Sequence, residues 1–394
     1  MNKIKVYFII FIVVTSTIGQ MAAEIYIPSL PYIARYFQVD DSLVQLSLSV
    51  FLFGLALPGI FFGHISDYLG RRKILIIATT IGLIGNLLCL SATNIYLLIL
   101  GRFIQGLGLS GVGSTSRAIL RDKMTGVELA KYSSYLAIIL VIVIDTAPFI
   151  GGVLQEYVGW RSIFGVLLMY NILAIVFSYR YVDDDKVVLN ESLNFRGLPQ
   201  IVLNIVKNKI FMKYNLIATF TYVAIMLYLT AASFIFETKI GLSPAQFGTT
   251  TLALAMVYIT GSFINGKLLK YVSMDKLISN GAILMMLATS LLFAMAFIIE
   301  PSYWLMLVFV SFVYLACGQL FSNSSASAFT AMNKNVGVSS AVYSSIQILV
   351  AAIFTAILSL FSNATVLPFA CLMLVVCICL ILLSLWKPNQ VMKI

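Results

Sequence analysis

One feature constrains this chain more than any other: apolar runs of about twenty residues recur from end to end, separated by short polar or basic segments. A run of that length matches the hydrocarbon core of a bilayer, and a soluble domain has nowhere to bury so many of them. With 61% hydrophobic and only 10% charged residues, and a mean hydropathy of +1.01, the chain reads as an all-α polytopic membrane protein. Spanning backbone must satisfy its hydrogen bonds within each segment, and the alternation a barrel strand needs is absent. Twelve spans are predicted, near residues 6–27, 44–62, 74–92, 96–116, 135–154, 162–181, 216–236, 247–268, 277–299, 303–322, 340–361 and 366–386. Lys3 and Lys5 before an apolar run imitate a signal peptide. The many later spans favour a retained first helix.

The net charge of +10 would suit a nucleic-acid binder, but its distribution does not. With the N-terminus inside, most of the 25 Lys and Arg fall on one face, from Lys3 and Lys5 through Arg71, Arg72 and Lys73 to Lys387 and Lys393. The opposite face receives only Arg35, Arg161 and Lys239, and Arg102 lies within a span. The positive-inside rule then places both termini in the cytoplasm, and the basic balance becomes a signal of topology. The five cysteines all fall within spans, without metal or disulfide spacing, and read as small packing residues.

The longest polar stretch, 183–213, contains "DDDKVVLNESLNFRG" and divides the spans six and six. It predicts an N-terminal bundle over 1–182, a cytoplasmic linker over 183–213 with an amphipathic helix at 198–206 on the membrane face, and a C-terminal bundle over 214–394. "GHISDYLGRRK" (63–73) after the second span is echoed by "GKLLKYVSMDK" (266–276) after the eighth. Two parallel repeats suit a secondary transporter with its binding site between the halves.

In "GHISDYLGRRK", Gly63 would let the chain leave the second helix and Gly70 would make a turn. Asp67 would accept from a helix end or a basic partner, and Arg71, Arg72 and Lys73 would anchor the loop at headgroups. A merely topogenic loop explains the cations but not the Gly-x-x-x-Asp-x-x-Gly spacing. That spacing resembles the loop signature of the major facilitator superfamily, although Tyr68 stands where the family usually has Arg or Lys. "LILGRFIQGLG" (98–108) is similar to the Arg-x-x-Gln-Gly motif of drug:proton antiporters, and "APFIGG" (147–152) to their fifth-helix motif. "EIYIPSLPYIA" (24–34), "RAILRD" (117–122) and "GWRSIF" (159–164) resemble the bicyclomycin/chloramphenicol-resistance (Bcr/CflA) group. The resemblance covers the N-terminal half well and the C-terminal half mainly in span layout. It implies a twelve-helix fold of two six-helix bundles and a proton-coupled antiporter exporting small amphipathic drugs from a bacterial cytoplasmic membrane. The expected partners are a small-molecule substrate, protons and membrane lipid, with no nucleic acid, no metal and no cofactor beyond the proton gradient; the expected state is a monomer.

Three ionisable residues fall inside apolar spans: Glu24, Arg102 and Asp145. Each costs roughly 2.5–3.5 kcal/mol at a helix centre on insertion scales, so such groups usually face a cavity and work there. Glu24 shares a helical stripe with Gln20 and Thr17, which suggests a wet face, although a carboxylate that simply ends the span fits too. The resemblance makes it a protonatable cavity group. Arg102 heads a stripe with Gln105. It either ties helices together through carbonyls or serves proton coupling by approaching Glu24 or Asp145, since a fixed cation favours the ionised form of a carboxylate. Asp145 departs from the subfamily pattern, which carries proline there. It stands three residues before Pro148, which cannot donate to the carbonyl of Ile144. Gly151 and Gly152 beyond it permit close helix contact. Binding a cationic substrate, carrying a proton and pairing statically with Arg102 all remain open for Asp145.

The second half offers polar lining in Gln319, Asn323, Ser344 and Gln347, and Tyr26, Tyr222 and Tyr228 are candidate aromatic contacts. Serines and threonines as often just bond back to their own or a neighbouring helix, and aromatics at helical spacing are more often packing. Those polar spans keep a second reading open, a dedicated carrier of one polar metabolite or siderophore, in or out. A non-transporting sensor or an intramembrane protease stands further off, the latter lacking a second catalytic aspartate. "GSFINGKL" (261–268) only imitates a phosphate-binding loop, since it follows no strand and ends in Leu268.

Overall fold

The computed structural model describes residues 3–56, 58–124, 136, 139, 142–182, 197–297, 302–332, 336–361 and 366–388; the side chains of residues 3–6, 60, 67, 121, 336 and 337 lie outside that description. Every regular element among the described residues is helical. The first part contains α1 (Lys3–Glu24), a 3-10 turn (Ile27–Ser29), α2 (Leu30–Phe37), α3 (Asp41–Ala56), α4 (Gly59–Leu69), α5 (Arg71–Leu90), α6 (Ile95–Lys123), α7 (Ala147–Tyr157) and α8 (Arg161–Tyr181). The second contains α9 (Leu198–Lys207), α10 (Lys209–Phe234) continued by a π-helical turn (Ile235–Lys239), α11 (Pro244–Leu268), α12 (Met274–Met295), α13 (Tyr303–Thr330), α14 (Val336–Ser359) and α15 (Leu367–Leu385). Eleven runs among the described residues are long and apolar enough to cross a membrane. The span expected over 135–154 crosses undescribed residues at 135, 137, 138, 140 and 141; beyond them 142–145 and α7 are helical. This is an all-α polytopic membrane protein.

Helix ends follow local chemistry. Pro28 cannot donate to the carbonyl of Glu24, and α1 stops at Glu24. Pro58 likewise denies a bond to the carbonyl of Gly54, and α3 ends two residues later at Ala56. Asn94 caps α6 by accepting from the Leu97 amide, and Asn208 caps α10 by accepting from Ile210 and Phe211. Ser243 and Gln246 form a capping box at the start of α11, with Pro244 in its first turn.

The chain divides into two compact units, Met1–Gly197 and Leu198–Ile394. In the first, α6 is the central helix, touching α1, α3, α4 and α5. Its crossing with α3 is set by glycine. A Cβ on Gly54 would lie 2.6 Å from the Phe103 carbonyl oxygen, and one on Gly106 2.3 Å from that of Phe51. The second unit repeats the arrangement between α11 and α13. A Cβ on Gly261 would lie 2.3 Å from the Leu315 oxygen, and one on Gly318 2.3 Å from that of Tyr258. Each glycine meets the carbonyl three residues before its partner glycine, so the two units share a packing device as well as a loop echo. In the second unit α9 seats Leu198 and Ile205 against α10 and α14 and leaves Leu203 and Val206 exposed.

Candidate functional site

The site is built around the end of α1 that Pro28 enforces. Arg102 of α6 is fully buried beneath it. One guanidinium nitrogen, Nη1, donates to the Ala22 carbonyl at 3.0 Å and to Gln105 Oε1 at 2.6 Å. The guanidinium carbon lies 3.9 Å from the Phe51 ring centroid and 4.4 Å from that of Tyr26. A cation on a C-terminal carbonyl opposes the helix dipole favourably, and each ring face adds about 0.5–2 kcal/mol. Gln105 passes the network on by donating from Nε2 to Asn86 Oδ1 on α5. Tyr26 meets Ser47 Oγ at 2.8 Å, and Ser47 gives its own proton to the Val44 carbonyl at 2.6 Å, so the phenol is the donor. Among the described residues the fully buried network leaves Arg102 Nε and Nη2 and Asn86 Nδ2 without acceptors.

Glu24 is buried, with 6% of its surface exposed, and Asp145 is half-buried. The two carboxylates act on each other electrostatically. Neither makes a hydrogen bond or an ion pair among the described residues, where the ion pairs are Arg71–Asp122 and Lys213–Asp275. Arg102 therefore approaches neither acid, and its static pairing with Asp145, left open by the sequence, is not formed. Backbone packing joins the two segments that carry the acids. A Cβ on Gly151 would fall 1.9 Å from the Ile25 carbonyl oxygen, so α7 lies directly on the residue after Glu24, and it also packs on the Ile27–Ser29 turn. Pro148 and Gly152 are buried in the same helix. Two neighbouring acids without a cation repel when both are charged, and a proton or a cationic ligand relieves that repulsion.

The 63–73 motif differs from expectation at two residues. Gly63 sits inside α4 with nothing near its missing Cβ, and the chain turns at Gly70, whose φ of 93° an L side chain rarely adopts. Arg71 turns away from the headgroups it was expected to anchor. Its Nε donates to Asp122 Oδ2 at 2.9 Å and its Nη1 to Ser66 Oγ at 2.6 Å, because the α4–α5 turn points it toward the end of α6. Arg72 lies over the Tyr179 ring at 4.8 Å. The side chain of Asp67 lies outside the described residues.

In the second unit, Asn323 was expected to line a cavity. It is instead closed in a reciprocal amide pair with Asn265, at 2.9 and 2.8 Å, with 1% of its surface exposed. The pair uses one N–H and one oxygen lone pair of each amide and ties the two helices together. Gln319 and Gln347 are buried, Gln347 within hydrogen-bonding reach of Tyr343; Ser344 bonds back to Ser340; Gln20 and Tyr222 are half-buried. Tyr228 is buried among Phe236, Tyr314 and Phe369, with no acceptor for its hydroxyl among the described residues. Sequence reasoning missed Asn86, Ser47 and Phe51, and also Glu237, a buried carboxylate in the π-helical turn. Asn86 had a signal, an amide in the otherwise apolar "IGLIGNLLCL". Ser47 and Phe51 had none, since their partners lie on other helices.

A family model described as the Major Facilitator Superfamily matches residues 11–355. The "Uncharacterized MFS-type transporter YdgK" of Bacillus subtilis is 29% identical over 91% of this chain and 89% of its own length. The bicyclomycin resistance protein homolog of Haemophilus influenzae is 24% identical over 93% and 92%. The multidrug resistance protein D of Escherichia coli is 29% identical over 42% of each chain. Among solved structures, a D-xylose-proton symporter superposes with a TM-score of 0.75 at 14% identity, covering 95% of this chain and 97% of that one. A bacterial homolog of the human lysosomal transporter Spinster gives 0.73 at 15% identity, covering 98% and 96%.

Proposed function

Because the chain belongs to the Major Facilitator Superfamily and is thus a secondary transporter rather than an enzyme, we propose that it exports small amphipathic drugs, cations among them, in exchange for protons by alternating access. The observation that carries this reading is the Glu24–Asp145 pair, two adjacent membrane carboxylates with no basic partner among the described residues. One site that accepts either protons or a cation is the minimum an exchanger needs, since each ligand moves the equilibrium only through its differential affinity for the two states. Arg102 holds the helix end on which Glu24 sits, and Tyr26 and Gln105 complete that support. The names of the bicyclomycin and multidrug relatives support the substrate class. The working site is a bacterial cytoplasmic membrane, with both termini inside and the chain acting as a monomer.

The test is accumulation of ethidium and of neutral drugs in an efflux-deficient bacterium. Wild type should lower ethidium accumulation several-fold, and Glu24→Gln and an uncoupler should each abolish the effect. Asp145→Asn should lose cationic drugs and retain neutral ones. A well-expressed wild type that changes no accumulation would sink this reading and leave the carrier of one polar metabolite or siderophore in its place.

A further inference from the structure

Arg161 is the first residue of α8, the end of a helix where the dipole disfavours a cation. What holds it there comes from elsewhere. Its Nη2 donates to the Ala92 carbonyl at 2.9 Å, just past the end of α5 where orphan carbonyls favour a cation. Its guanidinium carbon lies over two rings, 4.3 Å from the Trp160 centroid and 4.7 Å from that of Tyr36. One side chain thus joins α2, α5 and α8 at the end of the first unit opposite the Gly70 turn.

The contacts continue inward without a gap. Tyr36 and Phe37 stand 5.6 and 5.7 Å from Trp160, whose ring meets Phe164 edge-on at 6.1 Å. Phe164 meets Tyr26 at 5.7 Å, and Tyr26 carries Arg102 on its face. Tyr36 is more than half exposed, whereas Trp160, Phe164 and Tyr26 are buried. Close-packed rings transmit a displacement because no void lies between them to absorb it.

We propose that Arg161 is a positioning residue for the carboxylate site: it clamps the ends of α2, α5 and α8 and, through Trp160 and Phe164, fixes the Tyr26 ring and the helix end that carries Glu24. A lysine keeps the charge but has no planar guanidinium to stack on the two rings. A loop staple of purely local effect would lower stability without reaching Tyr26. Arg35 provides the contrast, since it stacks on Tyr32 at 4.3 Å and donates to the Pro31 carbonyl within its own helix.

The first experiment is a double-mutant cycle on the purified full chain, read as thermal midpoints. Arg161→Lys and Tyr26→Leu should each lower the midpoint, and the double variant should lose less than the sum by about 2 °C or more. Strict additivity overturns the proposal, and so does equal coupling in the Arg35→Lys cycle. Should Tyr26→Leu fail to fold, Phe164→Leu takes its place in the cycle with the same expectation. The second experiment rests on the proposed function and follows ethidium export against external pH. Arg161→Lys and Trp160→Leu should shift the pH of half-maximal export, with Trp160→Phe restoring it and Arg35→Lys leaving it in place. An unshifted profile in folded Arg161→Lys overturns the clamp. A wild type without export overturns the transport reading instead, and the thermal cycle still decides the clamp.

Discussion

Arg102 illustrates how much a single side chain's meaning depends on its neighbours. In sequence it is a membrane cation beside two membrane acids, and ion pairing is the natural expectation. In the structure it serves a carbonyl, an amide and two rings, and neither acid is paired with it. The Asn265–Asn323 pair is a residue-scale test of the opposite kind, polar groups that serve packing. Asn323→Leu should destabilise the purified protein by about 1–3 kcal/mol, because Asn265 is left buried and unsatisfied. Adding Asn265→Leu should recover most of that loss in thermal unfolding, and a double variant weaker than the single would contradict the pairing.

At the scale of elements, proline and glycine placed the ends and crossings. Gly70 predicts the α4–α5 turn, legible because the cause is local, whereas the first span expected over 6–27 ends earlier, at Glu24, for want of the Pro28 amide. Gly63 misled because a glycine's freedom is not a demand: nothing approaches it, and the helix runs through. Gly54, Gly106, Gly261 and Gly318 do answer a demand, close backbone approach. Gly106→Ala or Gly318→Ala would push a methyl to within 2.3 Å of a carbonyl. Each should cost about 1–3 kcal/mol or more as helices separate, whereas Gly63→Ala should be neutral or slightly stabilising. Comparable losses at all three positions would refute the crossing geometry. Gly151→Ala belongs with the first group, and its loss should extend to export, since it shifts α7 against Ile25 beside Glu24.

At the scale of the whole molecule, the composition and the run lengths settle the class, and the family match agrees with it over residues 11–355. Topology is the prediction proper to this scale. In a chain with Cys371, the exposed native cysteine, changed to serine, Tyr157→Cys should react with an impermeant maleimide in intact cells, and Tyr271→Cys only after permeabilisation. The reverse pattern would place the termini outside. The sequence by itself determined eleven of the spans, the charge bias of their loops and the turn at Gly70, because hydrophobicity, charge and backbone freedom are properties of single residues and short windows. Only the tertiary structure decided which side chains meet. Contacts between helices depend on the rotation and crossing of elements tens of residues apart, and there the glycine crossings and ring stacks placed Glu24 with Asp145, Arg102 with Tyr26, and Arg161 at the far end of the same chain of rings.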